Sequence, residues 1–424
     1  MKNFKESGIE WLGEIPEHWE VVKINKIVTF VNGYAFENFD FNPIFEIPVI
    51  RIGDMQKEKI LYDNCLKTKE KEKLKQFLIS NNDILIALSG ATTGKIAFCD
   101  TDNKAYINQR VAIVRSKLKL VKYYFLTRGF SLLIELACNG SAQPNISTKE
   151  IGEFKIPLPP LKEQEQIANF LDEKCKKIAN FIEKKEKLIT LLKEQKQALI
   201  NETITKGLDK NINFKDSGIE WLGEIPQHWK LVRLGLILKT SSGTTPDSGN
   251  DKYYKGGQIV WINSGDLNDG FLKDSKRKIT QDALDDYSVL KIFDKDSLIV
   301  AMYGATIGKT AILKVNACVN QACCVLEKSA WYNTFYLFYL FNRYKKELIS
   351  MGSGGGQPNI SQDIIKNIKI PLPPLKEQEQ IANFLDEKCK KIDLLIEKTK
   401  KQIKLIKEYK TTLINQAVCG RINL

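Results

Sequence analysis

The sequence predicts an α+β fold: two tandem mixed α/β domains separated by two long helices that form an antiparallel coiled coil, with pseudo-two-fold symmetry. Three observations predict it. The segment KIPLPPLKEQEQIANFLDEKCKKI occupies 155–178 and recurs without a substitution at 369–392. FKESGIEWLGEIPEHW at 4–19 returns as FKDSGIEWLGEIPQHW at 214–229. After each PLPP there follows a stretch of more than 40 residues with no Gly or Pro, a composition that suits an uninterrupted helix. The offsets are 214 (369 − 155) and 210 (214 − 4), so nearly the whole chain is one unit written twice. The predicted divisions are 1–160, a globular domain; 161–206, a spacer helix; 207–374, a second globular domain; and 375–424, a second spacer helix.

The helices follow from local chemistry. Pro159–Pro160 and Pro373–Pro374 impose an extended entry. Glu163, Glu165, Glu377 and Glu379 then fall in the first turns, where the helix dipole favours acids. A seven-residue seam runs through Leu171, Ile178, Leu192 and Leu199, and in the second copy through Leu385, Ile392, Ile406 and Leu413. Ile167, Phe181 and Leu188, with Ile381 and Leu395, are expected on the neighbouring column. Lys185 and Thr399 interrupt the seam at equivalent positions. Such a heptad argues for pairing of the two helices, each ~65 Å long at ~1.5 Å per residue. Antiparallel pairing is expected because it relates the two globular parts as duplex DNA relates its strands.

The globular stretches read as short strands with Gly, Asn and Pro punctuation. IPVIRIGDM, DILIALSG, KIAFCD and NQRVAIV are strand candidates, with helices expected over 121–137 and 331–349. The 424 residues suit two cores rather than one. The formal charge of +13 is shared evenly: 21 bases against 18 acids in 1–150, and 21 against 17 in 207–374. That fits a polyanion partner, and fits a lysine-rich solubilising surface equally well. The start has no apolar core of signal-peptide length and no apolar run approaches ~18 residues, so a cytoplasmic protein with no membrane partner is expected. His18 and His228, the two histidines, are expected to pack half-buried beside Trp19 and Trp229. Metal ligation is not expected.

Catalytic signatures are incomplete. GATTGKI at 90–96 and GATIGKT at 304–310 are each one residue short of a phosphate loop, and the first places Ile96 where a Mg²⁺-binding hydroxyl is required. Tight turns exposing Lys95 and Lys309 explain these glycines better. Pro246–Asp247 is followed by no Glu before Glu327, so the acidic triad of a nuclease site is missing, and no methyltransferase or dinucleotide fingerprint occurs. No catalytic residue is assigned.

PPLKEQEQIANFLDEK, the helix after it, the tandem order, and GATxGK followed by NQ and QPNIS together resemble the specificity subunit of type I restriction–modification systems, over essentially the entire chain. The resemblance implies two target-recognition domains, at 1–160 and 207–374, each reading half of a bipartite double-stranded DNA target. It implies a non-catalytic subunit whose helices hold two methyltransferase subunits, joined by restriction–motor subunits. S-adenosylmethionine, ATP and Mg²⁺ are then expected on those partners and no cofactor in this chain. The alternatives are a coiled-coil scaffold without DNA contact and the recognition part of a stand-alone DNA methyltransferase.

Positions identical in both halves cannot by themselves distinguish two half-sites. Thr92, Lys95, Asn108, Gln109, Gln143 and Asn145, with Thr306, Lys309, Asn320, Gln321, Gln357 and Asn359, are therefore candidates for shared scaffold or phosphate contacts. Base readers should lie where the halves differ. The candidates are Tyr34, Lys57, Arg110 and Arg115 in the first half, and Thr244, Lys252, Tyr253, Tyr254, Trp261, Asn263 and Lys276 in the second. Each has an ordinary surface or turn role as its alternative.

Overall fold

A computed structural model describes residues 3–9, 11–56, 58–138, 144–220, 222–352 and 359–422. The chain divides into two compact units, Met1–Lys185 with Lys400–Leu424, and Glu186–Thr399. The long helices Leu161–Lys206 and Leu375–Val418 each contribute one half to either unit.

In the first unit, an antiparallel sheet runs in the order 96–98, 84–87, 111–115, 29–32. Its apolar strands, such as Ile84–Ala87 and Val111–Arg115, are buried on both faces. A second sheet pairs Ile47–Ile50 parallel to Tyr106–Ile107 and antiparallel to Leu66–Thr68. The second unit repeats this plan with a five-stranded sheet, 240–241, 323–326, 298–301, 310–313, 270–272. There Ile259–Ile262 pairs parallel to Cys318–Val319. The helix expected over 121–137 is broken. Val121–Phe125 ends, and Thr127 caps a new helix, Arg128–Ala137, by accepting from the Phe130 N–H. In the second unit Asn333 caps one helix, Thr334–Ser350.

The two repeated segments touch each other. Strand Glu20–Lys23, just after EIPEHW, pairs antiparallel with Lys155–Leu158, just before the first long helix, and Lys230–Arg233 pairs likewise with Lys369–Leu372. Trp19 is buried, and its indole N–H donates to Glu163 Oε2 at 3.0 Å while His18 Nε2 lies 2.6 Å from Oε1. In the second unit Trp229 donates to Glu377 at 3.0 Å and His228 lies at 2.9 Å. The histidines stay about half-buried, their side chains 47% and 48% exposed, with the His228 ring 6.5 Å from that of Trp229. Beyond the packing expected of them, they hydrogen-bond a helix-start carboxylate. Two buried tyrosines complete the joint, Tyr124 donating to Pro157 O and Tyr336 to Pro371 O.

Within each unit the helical segments run in opposite senses. In the first, Glu163 is tied to Trp19, and a Cβ on Gly420 would lie 3.0 Å from that same indole, whereas Cys175 and Lys410 share the wall of one cavity further along. Advancing from 163 to 175 on one helix thus means retreating from 420 to 410 on the other. In the second unit a Cβ on Gly207 would lie 3.2 Å from Glu377 Oε1, while Lys196 pairs with Asp393 at 2.7 Å. The sense is again antiparallel.

All eight seam residues, Leu171, Ile178, Leu192, Leu199, Leu385, Ile392, Ile406 and Leu413, are buried or half-buried. The second column differs from the one expected. Ile167 and Ile381 are buried under the globular cores, but Phe181, Leu188 and Leu395 are 40%, 39% and 50% exposed. The covered column is Ala168, Cys175, Ile182 and Ile189, with Ala382, Cys389, Ile396 and Ile403 on the second helix. A seven-residue period fits a column three residues before Leu171 as well as one four residues before it, and only the facing helix decides between them. Lys185 sits half-buried in the seam with its ammonium 5.3 Å from the Phe181 ring centroid. Thr399 is buried with its hydroxyl donating to Leu395 O at 2.7 Å, so neither polar residue leaves the seam unsatisfied.

Leu385→Ala should therefore lower the stability of the full chain by about 2–5 kcal/mol, whereas Leu395→Ala should cost less than about 1 kcal/mol. Urea unfolding of the two variants checks this; equal losses would return Leu395 to the seam.

Candidate nucleic-acid interface

Two parallel strands set the site. In the first unit Ile47–Ile50 and Tyr106–Ile107 run side by side with Ile50 opposite Ile107, so the chain leaves both at the same end. Arg51 and the turn Ile52–Asp54 follow one strand; Asn108, Gln109 and Arg110 follow the other. The two exits are stitched together. Asn108 N donates to Ile50 O at 2.9 Å, Tyr34 N to Ile107 O at 3.0 Å, and Gln109 N to Tyr34 O at 2.9 Å. Gly33 permits this approach, since a Cβ there would stand 2.1 Å from Asn108 O.

The GATTGK turn joins the same end. Leu88 N donates to Arg110 O, Ile146 N to Leu88 O, and Gly90 N to Pro144 O, each at 2.9 Å. Gly90 and Gly94 take φ of 83° and 82°, so the motif is a tight turn requiring left-handed backbone at both glycines. Thr93 locks it by donating to Gly90 O at 2.8 Å and lying 3.0 Å from Pro144 O. The second unit repeats the arrangement. Asn320 N donates to Ile262 O, Met302 N to Ala322 O, and Ile360 N to Met302 O, each at 2.9 Å, and a Cβ on Gly243 would lie 1.8 Å from Val319 O.

Most of the shared candidates converge here. Thr92 and Lys95 lie on the first turn, with Lys95 N donating to Thr92 O at 3.0 Å, and Thr306 and Lys309 repeat this at 2.9 Å. Lys95 and Lys309 are half-buried, and their amines form no ion pair with another described residue. Asn145 and Asn359 are exposed and bridge Ser89 and Tyr303 respectively. Asn108 and Asn320 point their side-chain oxygens at the amides of Arg110 (3.4 Å) and Ala322 (3.1 Å). Gln109 and Gln321 are exposed but not equivalent, because Gln321 Oε1 accepts from the Thr245 hydroxyl at 2.7 Å and the Gln109 side chain has no such hydrogen bond among the described residues. Gln143, Gln357 and Lys57 lie outside the described residues.

Several proposed base readers have partners within their own domain. Arg115 donates Nε and Nη2 to buried Asp83 at 3.0–3.1 Å and Nη2 also to Leu78 O at 2.6 Å, which spends its fork inside the domain. Trp261 is fully buried and donates to Thr244 O at 3.2 Å; the Thr244 side chain itself is half-buried. Tyr254 donates to Pro246 O at 2.6 Å. Tyr34 stacks edge-on against Phe36 with centroids 5.0 Å apart. Lys252 and Tyr253 both bind Asp286, at 2.8 Å and 3.2 Å, and the Lys252 amine holds that carboxyl below its ordinary range. Asn263 N donates to Asp266 at 2.9 Å, fixing the turn that follows its strand. Lys276 is exposed on the segment after Ser275. Arg51, Ser89 and Tyr303 also stand at these strand ends and turns, and sequence reasoning did not single them out. The signal for Arg51 was present: RIGD and NSGD share the Gly-Asp spacing that makes Arg51 the counterpart of Asn263.

A family model described as the type I restriction modification DNA specificity domain matches residues 16–202 and again 226–405. The chain belongs to this family. It is 27% identical to the type I restriction enzyme MjaVIII specificity subunit of Methanocaldococcus jannaschii, over 100% of this chain and 96% of that protein. It is 23% identical to the EcoBI specificity subunit of Escherichia coli, over 91% and 82%. In fold it is similar to a chain solved in work on complex assembly and conformational transition of the type I R-M system, with a TM-score of 0.75, 17% identity, and 96% and 99% covered. The HsdS subunit from Thermoanaerobacter tengcongensis gives a TM-score of 0.54 at 16% identity, over 96% and 98%. Membership makes the chain a type I specificity subunit, whose work is recognition of DNA sequence and not catalysis. No helix among the described residues is long and apolar enough to cross a membrane.

If Arg115 is scaffold, Arg115→Ala should destabilise the protein by about 3–5 kcal/mol, because it strands a buried carboxylate, while leaving the preferred DNA sequence unchanged. Thermal unfolding and a binding-site selection check the two halves; a changed sequence preference in folded protein would make Arg115 a reader.

Proposed function

We propose that the chain reads the two halves of a split duplex target, one with each globular part, and that its long helices set the interval between the halves and carry methyltransferase subunits. The observation that carries this reading is the repeated constellation at the ends of the parallel strands: the same backbone stitching and the same GATxGK turn, surrounded by different side chains. A common frame with exchanged side chains suits two readers of one chemistry and two sequences. Lys95 and Lys309 supply cations on these turns, which suits phosphate contacts that position without specifying.

On this reading the partners are double-stranded DNA, two methyltransferase subunits and restriction–motor subunits. S-adenosylmethionine, ATP and Mg²⁺ belong to those partners. The half-sites are expected about one helical turn apart, roughly 10 bp centre to centre.

Inserting seven residues into both long helices adds about 10 Å of helix. The methylation pattern of genomic DNA from cells expressing the altered chain with its methyltransferase partner should show both half-sites unchanged and the interval longer, by up to about 3 bp at ~3.4 Å each. New half-site bases with the old interval would refute the division of labour.

A further inference from the structure

We infer that Arg110 selects a guanine in the half-site read by the first unit, and that the second unit has no counterpart to it. This rests on the two-reader assignment proposed above.

The stitching hydrogen bonds fix which residues correspond. Arg110 O accepts from Leu88 N at 2.9 Å, as Ala322 O accepts from Met302 N at 2.9 Å. Arg110 N lies 3.4 Å from Asn108 Oδ1, as Ala322 N lies 3.1 Å from Asn320 Oδ1. The two residues occupy one place in two frames. There the first unit presents an exposed guanidinium, and the second a methyl group only 8% exposed.

Elimination among the first unit's arginines strengthens the case. Arg51 gives Nε to Asp54 at 3.1 Å and Nη2 to Asp54 and Asn64 O at 3.4 and 3.3 Å. Arg115 is spent on Asp83. Arg128 pairs with Glu135 at 2.8 Å, and Arg421 donates to Leu12 O at 3.2 Å. Arg110 alone has no side-chain partner among the described residues. Its backbone is meanwhile held on both sides of the turn, so the side chain is displayed from a fixed point. A planar two-donor fork matches the O6 and N7 acceptors of guanine in the major groove. Lys95, a point charge on the adjoining turn, is the better match for a phosphate.

The rival is that Arg110 too contacts phosphate, and the test separates them. Methylation motifs would be mapped in cells expressing the full chain, wild type or Arg110→Ala, with its methyltransferase partner. The expected result is that one guanine of the first half-site becomes degenerate, with the second half-site and the interval unchanged. Duplex binding by the purified complex should fall about 5- to 150-fold on the wild-type site, the range for one bidentate base contact. Placing 7-deazaguanine at that position, which deletes N7, should weaken the wild-type complex and leave Arg110→Ala unaffected. An unchanged motif in the variant, or an equal loss on all sequences with a shallower salt dependence, would make Arg110 a phosphate contact and overturn the inference. A wild-type chain that gives no two-part motif would instead remove the two-reader assignment beneath it. Thermal unfolding of the variant should match the wild type, since the side chain has no hydrogen-bond or ion-pair partner among the described residues.

Discussion

Each unit depends on one carboxylate at the start of a long helix. Glu163 and Glu377 accept hydrogen bonds from a buried tryptophan and a half-exposed histidine of the segment that opens the same unit. A charge-assisted hydrogen bond of this kind contributes about 1.5–3 kcal/mol, and the acid also sits where the helix dipole favours it. Its larger effect is to fix direction. The helix start is tied to the globular core through the indole, and the strand before the helix is sewn into the same core by its pairing with the strand after the tryptophan. The helix cannot swing without breaking a buried hydrogen bond and a β-pair together.

This joint also accounts for where the two halves of the sequence are identical. FKxSGIEWLGEIPxHW and KIPLPPLKEQEQIANFLDEK lie far apart in sequence but make one interface, used twice. Substituting one partner alone would leave a buried donor or acceptor unmatched, which costs about 1–3 kcal/mol. Elsewhere the globular parts share a backbone frame and a few motif residues such as GATxGK, and most of the sequence diverges. The frame itself is maintained by single-atom constraints, as at Gly33 and Gly243, where any Cβ would collide with a carbonyl of the neighbouring strand.

Identical residues do not guarantee identical behaviour within that frame. Gln109 and Gln321 occupy one place, yet Thr245 engages the oxygen of Gln321 and the first unit has Ala35 where Thr245 stands. A residue shared by both halves therefore acquires a different set of free donors and acceptors. Sequence comparison of the halves sorts positions into same and different, and misses this third class.

The repeats, the two long helices, the capping acids and the main heptad column were legible because they depend on neighbours in the chain: a period of seven, a proline pair, a helix dipole. The family resemblance was legible from motif order. Which of two columns of equal period is covered was not, since that is chosen by the facing helix, and Phe181, Leu188 and Leu395 lost to Ile182, Ile189 and Ile396. Nor was the standing of the candidate readers. Arg110 and Arg115 are alike as letters five positions apart, and only the folded sheet puts Asp83 beside one and solvent beside the other. Sequence by itself determined the elements and their twofold repetition; tertiary structure decided which charged side chains still have unused hydrogen-bonding capacity, because partners distant in the chain consume it.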